Sequence, residues 1–144
     1  MIRRLIIFIV LLAAPLSAAF AVQYGPYEAR LIGVVDGDTY DMKVFIWPKP
    51  QFEPPLRIRL ANSDTPEMDA KSPCEREFAA RATGHARMLL VNAKILQIID
   101  VSQDSFGRTL ARVLVDGVDL GELLNATEYG RPYKRGDTTP WCAP

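Results

Sequence analysis

The 144-residue chain has two cysteines, one histidine and no net charge at pH 7. Two cysteines are too few for a structural zinc site of the usual Cys/His sets. The single histidine, His85, falls in a helical stretch, where packing or solvation is its expected fate. There is no excess of positive charge, so the chain cannot grip a polyanion through a broad electrostatic field. Internal repeats, low-complexity tracts and heptads are also missing, which excludes solenoids, disordered arms and coiled coils.

The one long apolar run, Leu5 to Leu12, is too short to span a bilayer. It follows Arg3 and Arg4 and precedes small residues at Ser17 to Ala21, the pattern of a secretory signal peptide over residues 1–21. No cysteine near the cleavage region offers a site for a lipid. Loss of Arg3 and Arg4 leaves fifteen basic against seventeen acidic side chains, a net charge of −2 on residues 22–144. About 120 residues suit one domain with one modest core. Export to the periplasm or beyond implies an oxidising compartment, where Cys74 and Cys142 are expected to pair. Closing so long a loop would contribute about 4 kcal/mol in the chain-entropy model.

Tyr27 to Val35 and Thr39 to Ile46 read as strands, with Asp36-Gly37 as a hairpin turn of positive φ. The stretch from Trp47 to Pro55 is too rich in proline for a sheet and is expected as an extended loop. Leu56 to Ala61 alternates, placing Arg57 and Arg59 on one face and Leu56, Ile58 and Leu60 on the other. Ser72-Pro73-Cys74-Glu75 opens a helix, with a capping serine and proline at the first position. Phe78, Ala82, Ala86, Leu89 and Leu90 continue it at helical spacing. Lys94 to Val101 and Arg108 to Val115 read as two further strands, and Asp119-x-x-Glu122 caps a short second helix. The tail from Arg131 reads as irregular. The result is an α+β, mainly β domain whose five strands close into a Greek-key barrel, which removes sheet edges.

Three polar clusters interrupt this apolar framework: Asp36-Gly37-Asp38-Thr39, Arg59 with Asp64-Thr65-Pro66-Glu67, and Phe106-Gly107-Arg108. They supply carboxylates at Asp38, Asp64 and Glu67 and guanidiniums at Arg59 and Arg108. Hard divalent cations take carboxylate, carbonyl and water oxygens. Asp38, Asp64 and the carbonyl of Thr65 could form such a site, and planar guanidiniums suit a phosphate. Glu67, acting through a water, is the candidate general base.

The order Asp-Gly-Asp-Thr, Arg-x4-Asp-Thr-Pro-Glu and Asp-x-Phe-Gly-Arg resembles the staphylococcal-type nuclease (thermonuclease) family from about Tyr27 to Tyr133. The resemblance implies a five-stranded oligonucleotide/oligosaccharide-binding (OB-fold) barrel with two helices. It further implies calcium-dependent hydrolysis of DNA and RNA to 3′-phosphate products. By position, Asp38, Asp64 and Thr65 match the calcium ligands, and Arg59, Glu67 and Arg108 match the catalytic trio. The ligand chemistry alone leaves calcium and magnesium both open.

The chain departs from the family pattern in three places. The stretch after Glu67 is short, Glu128-Tyr129-Gly130 stands where relatives read Gly-Leu-Ala, and no last helix is expected around Trp141-Cys142. Tyr133, with Arg131 and Lys134, is a candidate for base stacking and phosphate contact. The expected protein is therefore a monomeric exported nuclease, free of the membrane once the signal is cleaved. Two alternatives are a silent OB-fold module that binds single-stranded nucleic acid or a protein, and an envelope domain that binds through Trp47 and Phe52.

Overall fold

Period-two alternation sets the barrel. The structure, a computed structural model, describes residues 25–47, 49–50 and 54–142. The expected signal peptide, residues 1–21, and Phe52 lie outside the described residues. Strands β1 (Tyr27–Val34) and β2 (Thr39–Trp47) pair antiparallel. β2 also pairs antiparallel with β4 (Leu56–Leu60), and β4 runs parallel to β7 (Thr109–Val115). β7 pairs antiparallel with β6 (Leu96–Gln103), and β6 returns to β1. The five strands thus form a closed barrel, the OB-fold expected from the sequence.

The inward residues of every second position make the core. Tyr40, Met42 and Val44 of β2 meet Ile58 and Leu60 of β4, Leu96 and Ile98 of β6, and Ala111, Val113 and Val115 of β7. Helix α1 (Pro73–Asn92) adds Ala86 and Leu90, and α2 (Leu120–Ala126) adds Leu120 and Leu124. Both helices start as read. Ser72 Oγ accepts from the Glu75 N–H at 3.4 Å, and Asp119 Oδ1 accepts from the Glu122 N–H at 2.8 Å. The buried stripe of α1 runs through Ala79, Ala82, Ala86 and Leu90, while Phe78 and Leu89 are half-buried. No helix among the described residues is long and apolar enough to cross a membrane.

Three local expectations are corrected. First, Lys49–Pro50 forms a short strand, β3, against β2, so proline does enter the sheet. It does so on the outermost strand, where a missing N–H costs no ladder bond. Second, the tail is not wholly irregular, because β9 (Arg131–Pro132) pairs with β5 (Ser63–Asp64). Third, Gly37 does not have a positive φ, and the β1–β2 connection is a four-residue loop in which the Val35 and Asp36 N–H groups donate to the Thr39 carbonyl. The two-residue positive-φ hairpin occurs instead at Asp116-Gly117, between β7 and β8 (Val118–Asp119).

Cys74 and Cys142 form a disulfide that spans 68 residues and ties the tail to the first turn of α1. In the chain-entropy model a closure of this length is worth about 4 kcal/mol. Cys142→Ser should lower the unfolding free energy by about 2–4 kcal/mol in urea titrations. A loss below about 1 kcal/mol would mean that the tail constrains the unfolded chain very little.

Candidate functional site

Arg59 leaves β4 on the face opposite Ile58 and Leu60, across from Thr39 of β2 and Leu110 of β7. The loop before β2 is pinned to the same place, since the Leu60 N–H donates to the Asp38 carbonyl at 2.8 Å. The chain then runs through β5 into Thr65-Pro66-Glu67. These connections gather side chains from three segments at one rim of the barrel.

One guanidinium links the two aspartates. Arg59 Nη1 donates to Asp38 Oδ1 at 2.7 Å, and Nη2 donates to Asp64 Oδ1 at 2.9 Å. Asp38 is 1% exposed; it also accepts from the Thr39 hydroxyl at 3.0 Å and from the Thr65 N–H at 3.0 Å. Burial pushes its carboxyl up to about 7, against the lowering pull of Arg59, and nearby Asp36 adds to the rise. Burial thus disfavours the charged form of Asp38 despite its ion pair. An all-oxygen donor set of this kind fits a hard cation. Among the described residues no group of three or more His, Cys, Asp or Glu side chains is placed to hold a metal ion.

Arg59, Glu67 and Arg108 line one cleft of about 400 Å³, together with Asp36 and Thr39. The Glu67 carboxyl is raised by partial burial first and by the charge of Asp36 second, with Arg59 opposing. Raised basicity suits a proton acceptor. Arg108, which lines the cleft, donates from Nε to Asp104 Oδ2 at 2.6 Å. Asp104 Oδ1 also accepts the N–H groups of Phe106 and Arg108, each at 2.9 Å. Those hydrogen bonds lower the Asp104 carboxyl even though its desolvation works the other way.

Asp104 opens the Asp-x-Phe-Gly-Arg motif, and the sequence alone assigns it no role. An aspartate four residues before an arginine across a Gly turn is the signal that could have marked it. Phe106, 84% exposed, lies 5.6 Å from the Arg108 guanidinium carbon. Asp36 keeps the turn role expected of it, accepting the Asp38 N–H at 3.1 Å. His85 packs on Tyr129, with ring centroids 4.7 Å apart.

The second group of site residues does not join the cleft. Tyr133 and Lys134 are exposed beside β9, and Arg131 is not open to an incoming phosphate. Its Nη2 donates to Asp64 Oδ2 at 3.4 Å, its Nη1 donates to the Thr139 carbonyl at 2.7 Å, and Trp141 covers its face at 4.1 Å.

The family model described as staphylococcal nuclease homologue matches residues 57–135, more than half of the chain. The match takes in Arg59, Asp64, Thr65, Glu67 and Arg108 and begins after Asp38. No curated protein matches the chain.

Gly37 shows how tightly the site is built. A Cβ there would stand 2.6 Å from Thr65 Oγ1, whereas one at Gly84 on α1 would meet nothing within 4 Å. Gly37→Ala should destabilise by about 1–3 kcal/mol through overpacking. Gly84→Ala should stabilise by about 0.5–1 kcal/mol through helix propensity. Denaturant midpoints that shift in the same direction for both variants would contradict this packing.

Proposed function

Because the chain belongs to the staphylococcal nuclease homologue family, we propose that it is an exported, calcium-dependent endonuclease. It hydrolyses phosphodiester bonds of DNA or RNA and leaves 3′-phosphate ends. The observation that carries this reading is the shared Arg59 guanidinium, which joins Asp38 to Asp64 beside a cleft lined by Glu67 and Arg108.

Asp38, Asp64 and the carbonyl of Thr65 would hold the cation. When bound, such an ion polarises the phosphoryl oxygen and favours ionisation of water. The remaining work belongs to the chain. Glu67 accepts the proton of the attacking water, aided by its raised carboxyl. Arg59 has spent two of a guanidinium's five N–H donors on carboxylates, so others remain for the phosphate. Arg108 is steadied at Nε by Asp104 and offers its terminal nitrogens. Both guanidiniums bind more strongly as negative charge builds on the pentavalent phosphorus, which lowers the barrier.

Tyr133 and Lys134, exposed next to β5, are proposed to contact bases and phosphates beyond the scissile bond. The Cys74–Cys142 disulfide supports an oxidising destination, and residues 1–21 are proposed as the cleaved signal of a periplasmic or secreted monomer.

Digestion of DNA or RNA should stop with EGTA and return with calcium, and Glu67→Gln should lose at least a hundredfold in kcat. Arg108→Lys should lose more than tenfold, because an ammonium cannot reproduce the planar fork. Binding of nucleic acid without cleavage in the presence of calcium would instead favour the silent module.

A further inference from the structure

We propose that the carboxyl-terminal segment from Asp137 to Cys142 is a positioning strap for Asp64 and acts through Arg131. The proposal rests on the reading of Asp64 as a cation ligand, and it gives Arg131 a different task from phosphate binding. Backbone pairing sets the neighbours: Asp64 lies opposite Arg131 in the β5–β9 ladder. The ion pair between them is long, 3.4 Å, and both side chains are 22% exposed. A pair of this kind contributes little by itself, since ordering two side chains offsets most of the attraction.

Here the ordering of Arg131 comes from elsewhere. Nη1 donates to the Thr139 carbonyl at 2.7 Å, and Nε lies 4.0 Å from Asp137 Oδ2. The Trp141 ring covers the guanidinium at 4.1 Å, a cation–π contact. Thr139 is itself fixed by Asp137, whose Oδ1 accepts both its N–H and its hydroxyl. Trp141 packs edge-on against Phe78 of α1 at 5.9 Å, and the next residue is bonded to Cys74. The tail is thus anchored on α1 at one end and on Asp64 at the other.

The consequence falls on the carboxylate. Asp64 Oδ1 is held by Arg59 and Oδ2 by Arg131, so the plane of the group is fixed from both sides. Calcium affinity is tuned by ligand charge and by the rigidity of the site. Two carboxylates and one carbonyl are few ligands, so rigidity weighs heavily. Loosening the strap gives two opposite effects: drawing the Arg131 charge away from Asp64 would tighten calcium, whereas losing the ordering of the carboxylate weakens it, so the sign of the change in Kd tells which dominates.

The test is calorimetric titration of calcium into the oxidised chain without nucleic acid. Trp141→Ala should raise the calcium Kd at least threefold, and Trp141→Phe, which keeps an aromatic face, should restore it to within twofold. Reduction of the wild-type disulfide with dithiothreitol should weaken calcium by a similar factor and add nothing in Trp141→Ala. Should Trp141→Ala fail to fold, Trp141→Leu is judged by the same criterion. An unchanged or tighter Kd in the folded variant overturns the strap alone. A raised KM for DNA in Arg131→Lys with calcium affinity untouched also overturns it and returns Arg131 to substrate binding. A wild-type chain that takes up no calcium overturns both this proposal and the cation reading.

Discussion

The structure around the cleft depends on the burial of one carboxylate. Asp38 is 1% exposed at the rim of a barrel, and taking an isolated carboxylate out of water costs several kcal/mol. Three donors offset that cost: the Thr39 hydroxyl, the Thr65 N–H and the Arg59 guanidinium. They come from the start of β2, from β4 and from the segment after β5, so satisfying Asp38 holds these three segments together. Arg59 then has a free edge for Asp64, and the two aspartates end up sharing one cation of the protein's own. Removal of one partner from such a pair leaves an uncompensated charge, at a cost of about 3–5 kcal/mol where it is buried.

Barrel closure explains why these segments can meet. β4 lies between antiparallel β2 and parallel β7, so its outward arginine sits beside the start of β2 on one flank and the start of β7 on the other. Asp38 enters β2 and Arg108 precedes β7, and both therefore arrive at Arg59 without a long excursion. The close approach of Gly37 to Thr65 locks the first loop to the segment carrying Glu67. Away from the cleft, Phe78 of α1 packs against Tyr129 and against Trp141 of the tail. The strap ends in the Cys74–Cys142 disulfide, a covalent link between the tail and the first turn of α1.

Much of this was legible because the governing signals are local. Alternation in Leu56 to Ala61 fixed the faces of β4, and Ser72-Pro73 and Asp119 fixed the starts of both helices. What could not be read was set by partners distant in sequence. Gly37 looked like a turn glycine, yet its lack of a side chain serves Thr65, 28 positions away. Arg131 looked like a solvated or phosphate-binding arginine because neither its pairing with β5 nor the return of Trp141 leaves a local pattern. Pro50 argued against a strand, and only the knowledge that β3 is outermost removes the objection. The site residues are proposed from spacing and order, which can be read without coordinates. Their division into carboxylate-holding and cleft-facing groups required the geometry.

The charge balance of the cleft bears on how cation and substrate would cooperate. Asp36, Asp38, Asp64 and Glu67 lie near Arg59, and the rises at Asp38 and Glu67 come first from burial, with the charge of Asp36 adding to each. A phosphodiester adds another negative charge to this set, so the protein's own guanidiniums do not suffice to attract it. A divalent ion at the aspartates would change the sign of the local field before it performs any chemistry. By linkage, a phosphate that prefers the loaded site must tighten the ion by the same factor. With the ion in place, a chain of no net charge could act on a polyanion without a basic surface.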